Sequence, residues 1–355
     1  MTDERTVRVA VNGYGVIGKR VADAVAAQND MKLAGVADVT SDWRVAVARG
    51  KGYRLYGATA DHANAMDASG LDPAGDLGDL LDSADIVVDC TPKKVAAANV
   101  ERYRERGLKF IVQGGEAHAV TGHSFSAESN YASALGRSAT RVVSCNTTSV
   151  VRTLSALKRS GLLERARGTL LRRATDPWES HLGGIMNTLV PEPEIPSHQG
   201  PDARTVDPDL DVVTMAVKVP ETLAHLHYWT VQLTRQASKE EVLAAFRTSS
   251  RIAFIRTDEG LPAINSVKEL TADLGRPHAN LYEVALWEDM LSVQGDEAFY
   301  AYMVDNQAIV VPETIDAIRA LTELESDGAA SIRRTNEALG ITGHLVPESA
   351  GQFFR

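Results

Sequence analysis

The tightest constraint on this chain lies near its start. Val7-Arg-Val-Ala-Val-Asn12 is a short β-branched strand that runs straight into Gly13-Tyr-Gly15-Val-Ile-Gly18. Val21 and Val25 then mark the apolar face of a helix, and Met31-Lys-Leu-Ala-Gly-Val36 forms a second strand ending at Asp38. Three glycines at this spacing between strand and helix, with a carboxylate about 20 positions on, form the fingerprint of a dinucleotide site. Gly13 permits the tight turn, Gly15 lets a pyrophosphate approach the main chain, and Gly18 lets helix and strand pack closely. The helix N-terminus presents its unpaired N–H groups to the phosphates. Asp38 sits where a carboxylate accepts from the ribose 2′-hydroxyl of NAD and repels the 2′-phosphate of NADP. Arg44, Arg49 and Lys51 follow closely enough to offer NADP a counter-charge, so NAD is the preferred expectation and NADP the alternative.

The alternation continues. Ala84-Asp-Ile-Val-Val-Asp-Cys-Thr-Pro92 reads as a buried strand, with Thr91 at its carboxyl end, where open α/β sheets bind ligands. Lys109-Phe-Ile-Val-Gln-Gly-Gly115 repeats the pattern, and Gly115 allows close approach of the main chain to a cofactor. Strands alternating with helices predict a parallel, doubly wound Rossmann sheet. The net charge of −10 excludes the electrostatic footprint of a nucleic-acid binder. An anionic ligand would need its own cluster of Arg and His against that field. Two cysteines cannot form a disulfide framework, no secretory pattern precedes the first strand, and no apolar run reaches membrane-spanning length. A protein of the reducing cytoplasm, without membrane or nucleic-acid partners, is expected.

Arg141-Val-Val-Ser-Cys-Asn-Thr-Thr-Ser-Val150 joins the two halves. Val142 and Val143 end a strand; Val150, Leu154 and Leu157 fall on one face of a helix that Gly161 stops. Cys145 therefore stands at a helix start, where the macrodipole and free N–H groups favour a thiolate nucleophile. A small buried core residue is the competing reading.

Beyond it the pattern changes. Arg167-Gly-Thr-Leu-Leu-Arg172-Arg173 is a strand ending in two arginines that must point to opposite faces. One suits a substrate phosphate; the other suits Asp176, the cofactor or a subunit contact. Pro191-Glu-Pro-Glu-Ile-Pro-Ser-His198-Gln-Gly-Pro201 is a rigid loop in which His198 and Gln199 offer donors to an anion. His225 and His227 share one face of a strand. No third ligand lies at metal spacing, so no metal is expected, and a single histidine serving Cys145 as base is the better reading. Alternating stretches at Glu283–Trp287 and Tyr300–Val304 add a mixed or antiparallel sheet, and helices close the chain. The expected division is a dinucleotide-binding domain of residues 1–145 completed by helices in 312–355, and an α+β catalytic domain of 146–311.

Val11-Asn-Gly-Tyr-Gly-Val-Ile-Gly-Lys-Arg20, Gln113-Gly-Gly-Glu116, Val142-Val-Ser-Cys-Asn-Thr-Thr148, Pro196-Ser-His-Gln-Gly-Pro-Asp202 and His225-Leu-His227 occur in this order. Together they resemble glyceraldehyde-3-phosphate dehydrogenase of the archaeal type along nearly the whole chain. The resemblance implies phosphorylating oxidation of glyceraldehyde 3-phosphate with NAD(P) and inorganic phosphate, or the reverse, in a homotetramer. It implies Cys145 as nucleophile and His225 as catalytic histidine, with Ser144, Asn146 and Thr147 lining the substrate site. Arg172, His198 and Gln199 join Thr147 as candidate phosphate ligands. Val16, Ile17, Gly115 and Arg173 are implied at the cofactor, and Asn306 of Asp305-Asn-Gln307 at the nicotinamide carboxamide. Three departures stand out. Asp38-Val39 replaces a Lys-Thr pair of many NADP-preferring relatives, His198-Gln199 replaces a common His-His, and Asn306 stands where Gln is frequent.

In this scheme the Cys145 thiolate forms a thiohemiacetal, His225 takes the hydroxyl proton as hydride leaves, and phosphate cleaves the resulting thioester. The rivals are an aspartate-semialdehyde dehydrogenase, a non-phosphorylating aldehyde dehydrogenase, and a nucleotide-binding redox sensor whose thiol is Cys145.

Overall fold

The computed structural model describes residues 5–182 and 185–346, which form two compact units. Of the described residues, the first unit takes those up to Ser144 together with Val311–Gly340, and the second those from Cys145 to Val310 together with 341–346. The expected first domain carried the chain to 355, whereas residues 341–346 pack with the second unit. His344 bridges Phe254 there, and Leu345 enters the cluster of Ile255, Leu281 and Trp287.

The first unit is built on seven parallel strands: β1 (Val7–Asn12), β2 (Met31–Asp38), β3 (Leu55–Gly57), β4 (Ile86–Asp89), β5 (Lys109–Val112), β6 (Ser124–Phe125) and β7 (Ala139–Val142). Their spatial order is β3-β2-β1-β4-β5-β7-β6. Val9, Val11, Val87, Val88, Ile111 and Val112 are fully buried, as strands covered on both faces require. The chain winds one way from β1 to β3 and the other way from β4 onward. The crevice at the carboxyl ends of β1 and β4 is therefore the switch point at which such sheets bind ligands.

Helices Val310–Thr322 and Gly328–Leu339 complete this unit. The first begins two residues ahead of Pro312, which its missing N–H permits only in an opening turn. Arg319 anchors it. The guanidinium donates to both Asp30 oxygens (2.8 and 2.9 Å), to Gln28 Oε1 (2.7 Å) and to Thr335 Oγ1 (2.6 Å), almost wholly buried.

The second unit holds a mixed eight-stranded sheet: β8 (Leu163–Arg173), β9 (Val190–Pro191), β10 (Val212–Val219), β11 (His225–Leu233), β12 (Ile252–Ile255), β13 (Val284–Trp287), β14 (Ser292–Gln294) and β15 (Glu297–Val304). The order is β12-β13-β15-β11-β8-β10-β9, with β14 on β15. Only β8–β10 and β12–β13 pair in parallel. The proline-rich segment contributes just the edge strand β9, consistent with its missing donors, and a short helix Gln199–Ala203 that its prolines did not suggest. Register decides the faces. His225, His227 and Trp229 point inward, and Leu226, Tyr228 and Thr230 point outward. Trp229 lies over Gly168, where a Cβ would stand 2.6 Å from the indole. The helix Cys145–Arg159 packs on β8 and β15, and residues 146–157 are buried.

Replacing Arg319 with Leu strands the buried Asp30 carboxylate. Arg334, 3.7 Å away and half exposed, compensates only in part. Urea unfolding followed by circular dichroism should show a loss of about 3–5 kcal/mol, the usual result of breaking one side of a buried pair. A loss below about 1 kcal/mol, the surface-pair range, would mean that Arg334 takes over.

Candidate active site

In the first unit the glycine turn closes against the end of β4. Gly13 has φ +92°, and a Cβ there would meet Cys90 C and Thr91 N at 2.9 Å. Gly18 is tighter still, since a Cβ would stand 1.8 Å from Gly13 O. Gly15 is different: nothing lies within 4 Å of a Cβ built on it. That open space precedes the helix Val16–Ala26, whose Gly15 N-cap leaves the first-turn N–H groups without a side-chain cap. Space, a bare helix N-terminus and half-buried Val16 and Ile17 make a fitting cradle for a pyrophosphate. Gly115, after β5, is also open, with Lys93 Cβ 3.6 Å from its added Cβ. Gly114, by contrast, presses on Ser144 N.

Two carboxylates shape this crevice. Asp38 accepts the Tyr14 N–H at 2.6 Å and the Thr40 N–H at 3.0 Å, so it holds the glycine turn. Arg44 is paired with Asp42, Arg49 with Asp72, and Lys51 with Asp23. Asp89, which the sequence did not single out, is fully buried. It accepts from Tyr103 (2.6 Å), Asn99 (3.0 Å), and the Thr91 N–H (2.9 Å) and hydroxyl. A lone Asp at a strand end carries no signal of such a network.

In the second unit Cys145 is the first residue of its helix, and its Sγ lies 3.6 Å from His225 Nε2. His225 Nδ1 lies 3.0 Å from the Arg173 N–H. An N–H only donates, so Nδ1 accepts, and the neutral ring carries its proton on Nε2, facing the sulfur. Burial, then the charges of His227, Arg173 and Arg172, push His225 well below the usual histidine range, so the ring is neutral. The thiol departs from expectation. Burial raises it above the ordinary value, although Arg173, the Asn146 N–H and Arg172 pull it back. In this site burial outweighs the charges that favour the thiolate.

The other expected residues divide. Arg172 reaches the inner face, where its Nη1 meets Glu192; the second Glu192 oxygen lies 3.9 Å from His198 Nδ1. The Arg172 Nε is buried without a partner. Gln199 is fully buried with both amide atoms unpartnered. Arg173, expected at the cofactor, commits its guanidinium to Asp176 (2.6 Å) and to the Thr175 carbonyl (2.7 Å). Its main-chain N–H and its charge are what reach His225 and Cys145. Thr147, expected on a phosphate, donates to Asp202 at 2.8 Å and ties two helices together. Asn146 binds His227 (2.8 Å). Asn306 Oδ1 is buried and unpartnered, in a turn that Asp305 braces by accepting the Gln307 N–H. Among the described residues no three metal-ligating side chains converge.

The chain is similar to known proteins along nearly its whole length. The chain is 44% identical over 336 residues to the glyceraldehyde-3-phosphate dehydrogenase of Methanococcoides burtonii, covering 94% of this chain and 99% of that protein. The chain belongs to the glyceraldehyde-3-phosphate dehydrogenase family. Relatives of that name from Methanobrevibacter smithii (45%) and Methanothermobacter thermautotrophicus (44%) align over the same 94% and 99%. Residues 144–261 match the model of the glyceraldehyde 3-phosphate dehydrogenase C-terminal domain, and residues 7–147 that of the dihydrodipicolinate reductase N-terminus. In this family member Cys145 is the second residue of the matched C-terminal region, and the dinucleotide-binding unit precedes it.

The two glycines separate fold from binding. Gly15→Ala should fold with an unchanged melting temperature yet weaken NAD binding by about tenfold or more in a calorimetric titration, a cost above about 1.4 kcal/mol. Gly18→Ala should fail to fold, because the Gly13 carbonyl occupies the methyl position. Undiminished NAD affinity in Gly15→Ala would remove the pyrophosphate from that space.

Proposed function

We propose that this enzyme oxidises glyceraldehyde 3-phosphate, with NAD and inorganic phosphate, to 1,3-bisphosphoglycerate, and that it also runs in reverse. The observation that carries the reading is Cys145 Sγ at a helix start, 3.6 Å from a histidine whose other nitrogen is already bonded. Cys145, as thiolate, attacks the aldehyde carbon, and the new oxyanion takes the place of the sulfur charge beside His225 Nε2–H. A dinucleotide bound at Gly13, Gly15 and Gly18 supplies the hydride acceptor. The acyl group stays on Cys145 as a thioester; phosphate attacks it, and the sulfur leaves as thiolate. The cycle starts and ends on the thiolate, so the proton released overall is the one that hydrogen phosphate gives up as it becomes the acyl phosphate. This makes His225 a hydrogen-bond donor throughout, in place of the base that takes the hydroxyl proton, because its Nδ1 cannot hold a second proton opposite the Arg173 N–H.

Arg172, His198 and Gln199 are proposed as anion ligands, with Ser144 and Asn146 beside the reacting carbon. Glu192 rests on two of these ligands, so an entering phosphate must displace it. The NAD preference rests on Asp38 and on the carboxylates that occupy Arg44, Arg49 and Lys51. Val16, Ile17, Thr91, Gly115 and Asn306 complete the proposed cofactor contacts. The unpartnered Asn306 Oδ1 suits a carboxamide N–H.

We propose a homotetramer as the working assembly. The outward face of the central sheet exposes Met215, Tyr228 and Met290 beside a cavity of about 470 Å³, an apolar face suited to another copy. Light scattering should give four times the chain mass. Both cysteines are free, and no helix among the described residues is long and apolar enough to cross a membrane. A cytoplasmic setting belongs to the same proposal.

Reduction of NAD and of NADP with glyceraldehyde 3-phosphate, with and without phosphate, tests the reading directly. Phosphate-dependent turnover favouring NAD is expected. Turnover indifferent to phosphate would mean thioester hydrolysis, and NADP preference would overturn the role of Asp38. Cys145→Ser should abolish turnover. Glu192→Gln should lower the phosphate KM several-fold with kcat kept; a raised KM would show that Glu192 orients Arg172 instead.

A further inference from the structure

His227 takes no part in the chemistry above, yet it is wholly buried among polar groups at the nucleophile. Its Nε2 lies 2.8 Å from Asn146 Oδ1, and its Nδ1 3.0 Å from the Tyr302 hydroxyl. Tyr302 Oη stands 3.3 Å from Ser149 Oγ, and Ser149 donates at 2.8 Å to the Asn146 main-chain carbonyl. The four side chains close a ring that grips Asn146 at both its amide and its backbone. Burial, with the Arg172 charge adding to it, pushes His227 down to about 3, so the ring is neutral and owns one N–H. With that proton on Nε2 it donates to Asn146 Oδ1; the single Tyr302 hydrogen then serves Nδ1, and Tyr302 meets Ser149 as an oxygen contact.

Asn146 matters because it follows the nucleophile, and its main-chain N–H is among the groups that pull the thiol back down. A donor held on the sulfur favours the thiolate, and a donor free to tilt away does not. Besides this N–H, the groups acting on the sulfur are His225 from β11, Arg172 and Arg173 from β8, and Asp305 after β15. Only Asp305 opposes the thiolate by its charge.

We propose that His227 is a positioning residue for the nucleophile. Through the ring with Tyr302, Ser149 and Asn146 it fixes the Asn146 N–H on Cys145 and turns the amide so that its NH2 end faces away from the imidazole. The two histidines of β11 thus divide the work: His225 addresses the sulfur itself, and His227 addresses the residue that holds the other donor. The proposal rests on Cys145 being the nucleophile.

The test is the pH dependence of Cys145 alkylation by iodoacetamide, followed by mass spectrometry to separate it from Cys90, together with steady-state kinetics of the full-length enzyme. His227→Leu should move the alkylation midpoint to higher pH by about half a unit to one unit. It should lower kcat by about ten- to a hundredfold while leaving the phosphate KM unchanged. His227→Gln, which can still donate to Asn146 Oδ1, should recover part of both effects. Tyr302→Phe, a smaller change that keeps the packing, should shift the midpoint in the same direction by less. A folded His227→Leu with the wild-type midpoint overturns the proposal. If His227→Leu does not fold, an unmoved midpoint in folded Tyr302→Phe overturns it. Turnover retained in Cys145→Ser would instead overturn the nucleophile reading beneath it, and the two failures are read from different variants.

Discussion

One main-chain hydrogen bond sets the character of the reaction centre: the Arg173 N–H on His225 Nδ1. A side-chain partner could rotate or change protonation, but a backbone N–H in a paired strand can do neither. The bond exists because β8 and β11 run antiparallel with Leu171 opposite Leu226, which brings the end of β8 beside the start of β11. A slip of one residue would turn both histidines outward and Tyr228 inward. The register is held by packing far from the chemistry, including Trp229 over Gly168 and Tyr300 against Phe246. The protonation state of His225 is in this sense a property of the sheet.

The cofactor unit solves a comparable problem with carboxylates. A glycine turn has no side chains of its own to hold its shape, and Asp38 supplies the missing contact by accepting the Tyr14 N–H. The carboxylate proposed to meet a ribose therefore also braces the glycine turn. On that proposal, discrimination against a 2′-phosphate and order in the phosphate cradle are coupled. A basic residue at position 38 would lose the acceptor at the moment it gained the charge. Asp89 does the same service two strands over, where its buried carboxylate gathers Tyr103, Asn99 and Thr91 at the end of β4.

Much of this was legible in the sequence because it is local. The glycine spacing, the β-branched strands, the Cys at a strand-to-helix turn and the alternation that puts His225 and His227 on one face are all patterns within a few residues. What could not be read depends on pairings across long stretches of chain. Arg172 looked available for an anion, and only the fold brings Glu192 onto it. Thr147 looked like a ligand, and only the packing of two helices gives it Asp202. The thiol looked depressed because a helix start is visible in sequence, whereas the burial that raises it is not. Arg173 was expected to act through its side chain, and its backbone proves closer to the chemistry.

The spacing of the two histidines has a geometric cause. Alternate residues on a strand stand about 6.6–6.8 Å apart on the same face, whereas consecutive residues at a helix start diverge by about 100° around the axis. A strand crossing beneath that helix start can therefore reach two successive helical residues only with side chains two positions apart. Cys145 and Asn146 are such a pair, and His225 and His227 are their counterparts. Pairing an alternating strand with a turning helix delivers one ring nitrogen to the sulfur and another to its neighbour's amide, with no loop involved. Both contacts rest on a strand and a helix, the kind of elements that hold a reacting group in place better than loops do.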